Sequence, residues 1–326
     1  MRIEYSLWMR APIILLTLVL GTGVSGNAGR AHVSAGARGP QKPSGEPLLP
    51  SMQADQSAEL EVLVVDPNHK PVADMKPEDF RLTQENQDLK IDSARLNASP
   101  RLNLAILFDF SGSRHGDPNL QQEFAETDDF IRRIWQAGDE ATVAAFNDDL
   151  HTVISRTQNL DAAVQAVDSL SRLGPRGGTA LYDTICSVAT DRNPASDLRN
   201  VALIFSDFDD DSSHKTAEQG IECALRGKVS IYSFVILQKS LGGSERRHDL
   251  KIASDLSEKS GGVTFNAGST VDFVESLSQL SQFLDYTYEI TFTPRPAKSS
   301  REPVRVDLET TRPGVKLYFA RSYYPQ

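Results

Sequence analysis

The sequence predicts an α/β protein, a doubly wound and mostly parallel sheet inserted between N- and C-terminal β segments that form a small β domain. Three observations predict it. Apolar runs at 104–108, 142–146, 201–205, 229–236 and 263–265 alternate with stretches of helical period, the pattern of buried strands wrapped by helices on both faces. Short strands with turn punctuation precede this region and return after it. Neither flank has enough strands for a stable sheet alone, so the two are expected to pair with each other across the insertion.

In chain order, residues 1–26 read as a secretory signal: MRIEYSLWMR carries Arg2 and Arg10, APIILLTLVL is apolar, and GTGVSGNAG is small and polar. Cleavage is expected between residues 25 and 28. The apolar core of about ten residues is shorter than the ~20 a spanning helix needs, so no membrane insertion of the mature chain is expected. No cysteine stands near the cleavage point to carry a lipid. Residues 27–56, rich in Gly, Pro, Ala and Ser without apolar period, read as a flexible linker.

The N-terminal β segment, 57–98, holds strands at 60–65, 79–83 and 89–91, with a turn at Pro67-Asn68. The α/β domain, 99–285, places helices at 118–135, 160–170, 181–189, 215–225, 249–259 and 271–284 between its strands. A short strand at 151–154, following FNDD, predicts one antiparallel edge hairpin. The C-terminal β segment, 286–326, opens on YTYEITFTP; Val304, Val306 and Leu308 then alternate, and Arg312-Pro313-Gly314 reads as a hairpin turn.

Composition narrows the function. The chain carries a formal charge of −10, and removal of Arg2, Glu4 and Arg10, a net +1, leaves −11. Such a chain is repelled by phosphate backbones and anionic lipid, so no nucleic acid is expected as partner. Cys186 and Cys223 are the two cysteines. In an exported protein an even pair suggests a disulfide, worth about 3–4 kcal/mol on the chain-entropy account; two buried free thiols are the alternative.

In an open parallel sheet ligands sit outside the carboxyl ends of the strands, where the strand order reverses. Polar clusters fall there. Asp109, Ser111 and Ser113 follow the first strand. Thr179 lies in LGPRGGTALYD, where Gly177 and Gly178 permit close approach, and Asp207 ends VALIFS. Carboxylates and hydroxyls without Cys or His suit a hard divalent cation. Two acids and three hydroxyls leave an octahedral shell incomplete, so one position stays open for an oxygen from a partner. Each cluster also has a plainer reading: D-x-S-x-S alone is a common capped turn.

The ordered set Asp-x-Ser-x-Ser, Thr, Asp resembles the metal-ion-dependent adhesion site (MIDAS) of von Willebrand factor A (VWA) domains, a Rossmann-like fold, over about residues 102–284. The resemblance implies metal ligation by Asp109, Ser111, Ser113, Thr179 and Asp207, the acids directly or through water. It implies Mg²⁺, or Mn²⁺ or Ca²⁺, as cofactor, and a protein ligand that supplies an acidic side chain to the metal. Phe208 departs from the pattern, which often has Gly there, and is expected to alter the rim. The flanks VLVVDPNHKPVADMKPEDFRL and RPGVKLYFARSYY resemble exported bacterial VWFA-related proteins of acidobacterial type. Location is then secreted, periplasmic or on the cell surface.

Competing readings are weaker. From Asp207 to Glu218 the acids fit an EF-hand loop at places one, three, five and twelve, but Ser212 stands where Gly is needed and a strand precedes. Asp209, Asp210 and Asp211 are expected to form a solvated rim, with Ser212 or Ser213 capping the next helix. No nucleophile elbow or HExxH occurs, and His115, His151, His214 and His248 lie in separate loops. Phe130 and Trp135 read as core. The sequence therefore predicts a non-enzymatic protein acting by cation-dependent protein–protein interaction or adhesion; the alternative is a structural or assembly component of the envelope without a functional metal.

Overall fold

The computed structural model describes residues 57–191, 197–236, 243–297 and 299–325, the side chains of 243–246 excepted. These belong to one unit, Gln53–Gln326. The expected signal segment 1–26 and linker 27–56 lie outside the described residues.

The central sheet has six strands: β5 (Leu102–Asp109), β6 (Glu140–Phe146), β7 (Leu150–Thr157), β8 (Arg199–Ser206), β9 (Val229–Val235) and β10 (Thr264–Asn266). Their order is β10-β9-β8-β5-β6-β7, parallel throughout except for the antiparallel edge strand β7. The chain builds outward from β5 through β6 and β7, then returns to β5's other side as β8. The order therefore reverses between β5 and β8.

Among the described residues six helices wrap this sheet: α1 (Leu120–Ile134), α2 (Leu160–Leu170), α3 (Leu181–Thr190), α4 (Ala217–Gly227), α5 (Gly243–Ser260) and α6 (Thr270–Asp285). Side-chain alternation on the strands explains the two layers. Leu104, Ile106 and Phe108 of β5 pack with α1, α2 and α6 on one face. Leu107, one register off, joins the core beneath α3, α4 and α5 on the other. Fully buried Phe108, Phe205 and Phe234 pack ring to ring across three neighbouring strands, the first pair stacked at 4.6 Å between centroids and the second tilted at 4.8 Å.

The flanks form two four-stranded antiparallel sheets. One has the order β13-β1-β11-β4, from β1 (Ala58–Val65), β4 (Ile91–Ala98), β11 (Tyr286–Phe292) and β13 (Lys316–Phe319). The other runs β14-β12-β2-β3, from β2 (Phe80–Gln84), β3 (Gln87–Leu89), β12 (Val304–Thr310) and β14 (Ser322–Tyr323). Leu60, Val62 and Val64 of one sheet share a core with Leu82, Val306 and Leu308 of the other, which makes a β-sandwich. Both sheets mix N- and C-terminal strands: β1 pairs with β11 and β13, and β2 pairs with β12. Between β2 and β3, Glu85 and Asn86 both have positive φ, 50° and 63°, as a two-residue hairpin of the mirror-image turn type requires.

One expectation is corrected. Arg312-Pro313-Gly314 is not a hairpin turn, because β12 and β13 lie in different sheets. The turn carries the chain across the sandwich, and β13 then joins the open edge of β1, where Phe319 reaches the core. An Arg-Pro-Gly turn reverses the chain either way; which edge accepts the next strand is settled by burial.

Candidate metal centre

Asp109 is the last residue of β5, and the next strand over, β8, ends at Ser206 with Asp207 immediately after. Phe108 pairs with Phe205 across the ladder, so parallel register alone brings the two acids to one end of the sheet, at the point of reversal. The backbone then leaves β5 in an extended step at Ser111 and a 3₁₀ turn over Gly112–Arg114. That geometry returns both serines to the strand end. Their Oγ atoms lie 2.9 Å apart.

The loop carrying Thr179 is clamped to this turn by main-chain bonds. The Gly112 amide donates to Gly177 O at 2.8 Å and the Arg176 amide to Phe110 O at 2.7 Å; the Ala180 amide donates to Asn147 O at the end of β6. The approach favours glycine at 112, where a Cβ would stand 3.2 Å from the Gly177 carbonyl oxygen and push it back by a few tenths of an ångström. The three polar clusters named by the sequence thus adjoin through the β5–β8 register and this clamp.

Burial is uneven among the five. Asp109, Ser111, Thr179 and Asp207 are buried, whereas Ser113 is exposed. Asp109 Oδ1 accepts from the Ser111 amide at 2.8 Å, and Oδ2 accepts from the Ser206 hydroxyl at 2.5 Å. Burial, and then the neighbouring Asp207 carboxylate, push Asp109 up to about 6. These two groups are therefore held closer than their charges favour.

The donor set fits a hard cation. Its two carboxylates and three hydroxyls are all hard oxygen donors of the kind Mg²⁺ and Ca²⁺ take. A divalent ion would also offset the repulsion that raises Asp109. Among the described residues no group of three or more His, Cys, Asp or Glu side chains is arranged to hold a metal.

Sequence reasoning missed Ser206, whose hydroxyl bridges the strand ends by donating to Asp109 and accepting from the Phe208 amide at 2.9 Å. Its position directly before Asp207 was the available signal. Two expectations are corrected. Phe208 does not reach the rim. It is fully buried in the core beneath α3 and α4, and its φ of 66° is the left-handed conformation that glycine adopts without penalty. A strain of about 1–2 kcal/mol is outweighed by burial of the ring, worth about 3–5 kcal/mol in truncation series.

The acidic run is also more structural than a solvated rim. Asp210 Oδ2 accepts from the Leu181 and Tyr182 amides, and Asp211 Oδ1 from the Thr179 amide at 2.7 Å. Ser213 Oγ accepts from Tyr182 and Asp183. The run therefore caps the preceding helix α3, which has no side-chain cap of its own, while α4 is capped by Thr216 with Gln219. Asp209 alone of the three acids remains an exposed group without such a role. Outside the five residues, Cys186 of α3 and Cys223 of α4 are joined by a disulfide, with their Cα atoms 5.0 Å apart.

No family model and no curated protein matches this sequence. Among solved structures, proximal thread matrix protein 1 from the mussel byssus, in a form with a zinc-occupied MIDAS motif, is 17% identical with a TM-score of 0.48, over 61% of this chain and 50% of that one. This chain thus spans half the length of the mussel protein. A von Willebrand factor type A structure from Catenulispora acidiphila is 15% identical, TM-score 0.45, over 75% of each chain. Manganese-loaded TRAP protein from Plasmodium vivax is 10% identical, TM-score 0.43, over 69% of this chain and 95% of that one. These are likenesses of fold between distant sequences, and the site stands on this chain's own residues.

Proposed function

We propose that this chain, whose α/β region has the architecture of a VWA domain, is an exported binding protein that engages a protein partner through a divalent cation. Asp109, Ser111, Ser113, Thr179 and Asp207 hold the ion, Mg²⁺, Mn²⁺ or Ca²⁺, and the partner contributes an acidic side chain. The observation that carries this reading is the joining of two mutually repelling carboxylates at the switch point of the sheet with two hydroxyl oxygens 2.9 Å apart. Only Ser113 of the five is exposed, so a partner would approach the ion from the Ser113 side. The Cys186–Cys223 bond supports export, since such bonds persist in oxidising compartments. Turnover is not part of the reading: the partner of the Ser113 hydroxyl is Ser111 rather than a histidine, which leaves it without a base.

Titration calorimetry with Mn²⁺ on the wild type and on Asp109→Ala tests the site. We expect binding by the wild type and its loss in the variant; equal binding by both would sink the assignment. A pull-down from native envelope with and without EDTA tests the partner. A second reading, an envelope component without a functional metal, draws support from the hydrogen bonds that already satisfy both oxygens of Asp109. It predicts no Mn²⁺ uptake by the wild type.

A further inference from the structure

We propose that Arg114 is a positioning residue of this site, tying the turn that carries Ser111 and Ser113 to α1; the proposal rests on the cation reading above. Arg114 follows Ser113 directly and ends the 3₁₀ turn. Its side chain turns inward and is 2% exposed. Nη2 donates to Glu123 Oε2 at 2.5 Å and lies 3.2 Å from Asp117 Oδ2. Glu123 stands in the first turn of α1 and is itself buried. The Arg114 main chain is held on both sides as well: its amide donates to Ser111 O at 3.1 Å, and its carbonyl accepts from Asp117 at 3.2 Å.

Stability alone gives a poor reason for this arrangement. A buried ion pair rarely improves on apolar side chains of the same volume, and Arg114 Nε and Nη1 are buried without an acceptor on the protein, which costs free energy. What the pair gains is geometry. Ser113 is the exposed member of the site and its hydroxyl meets only that of Ser111 among the side-chain bonds of the described residues, so the rigid arm of the next residue fixes the turn and with it the Ser111–Ser113 oxygen spacing. Groups behind metal ligands typically change affinity by about 10- to 100-fold when removed.

The test is Mn²⁺ titration calorimetry on the full chain, paired with melting in EDTA. Arg114→Met is expected to weaken Mn²⁺ binding by about 10-fold or more, and Arg114→Lys, which keeps the charge, to recover part of the loss. Leu82→Ala in the sandwich core should lower Tm and leave the affinity unchanged, which separates positioning from general destabilisation. If Arg114→Met does not fold, Glu123→Gln keeps shape and acceptor but drops the charge, and is expected to weaken binding severalfold. Wild-type affinity in a folded Arg114→Met or Glu123→Gln overturns the role of Arg114 while leaving the cation reading intact. Absence of Mn²⁺ uptake by the wild type overturns the cation reading and the proposal with it.

Discussion

At the scale of single residues, Asp128 shows how a carboxyl can be kept for structure rather than chemistry. It lies on the face of α1 that meets α2, is 8% exposed, and its Oδ1 is buried without a partner on the protein. Burial, and then its hydrogen bond to the Asp168 carboxyl, push it up to about 7 from an ordinary value of 3.8. Between those values the native state keeps a proton that the unfolded chain has lost, so this contribution to stability is present in acid and falls as pH rises through about 7. Asp128→Asn keeps the shape and never ionises. It should melt close to the wild type at about pH 3, below both values, and increasingly above it as pH rises to about 8, by roughly 2–4 °C for each kcal/mol of relief in a chain of this size. Melting curves at the two pH values check this, and an Asn variant with no pH-dependent gain would show that Asp128 titrates normally.

At the scale of elements, the link between α3 and α4 should be the strongest local constraint. The disulfide joins residues 37 apart in sequence and is worth roughly 3–4 kcal/mol on the loop-entropy account. Reduction is expected to lower Tm by about 5–15 °C, and a Cys186→Ser/Cys223→Ser double variant should melt like the reduced wild type and ignore reductant. Elements of this kind differ in how far the sequence discloses them. The parallel strands were legible because VALIFS or LNLAILFD, buried on both faces, must be apolar almost throughout. That the polar clusters would lie together was legible because strand ends in such a sheet converge. The partners of the acidic run were not: Asp210 meets the Leu181 amide 29 positions earlier in the chain, and no local pattern separates a solvated Asp from one that caps a distant helix. Arg114 was hidden similarly, since an arginine in a polar loop reads as exposed until Glu123 is folded against it. At the end of β12, alternation showed which residues are buried and was silent about which sheet edge the next strand would join.

At the scale of the whole molecule, the sandwich and the α/β region are coupled through β1 and β8. β1 is apolar on both sides: Val62 and Val64 face the sandwich core, whereas Leu63 and Val65 enter the α/β core with α6 and β10. Arg199, fully buried at the start of β8, donates to Glu61 of β1 at 2.9 Å and to the Tyr232 hydroxyl at 2.9 Å. A bridge between Ser260 and Ala320, and a bond from the Ser99 amide to Asp285 O, close the same boundary. Since β8 begins at this boundary and ends beside Asp207, the junction supports the strand that carries half of the acidic pair. A fragment spanning 99–285 would lose the cover of Leu63 and Val65, about 1.5–3 kcal/mol each, and the bond from Arg199 to the half-exposed Glu61 carboxylate. We therefore expect the chain from residue 57 onward to melt in a single calorimetric transition, and the 99–285 fragment to melt well below it or fail to fold. Two separate transitions in the longer chain, one at the melting temperature of the isolated fragment, would show instead that the sandwich is an independent neighbour and that β1 contributes nothing to the stability of the site.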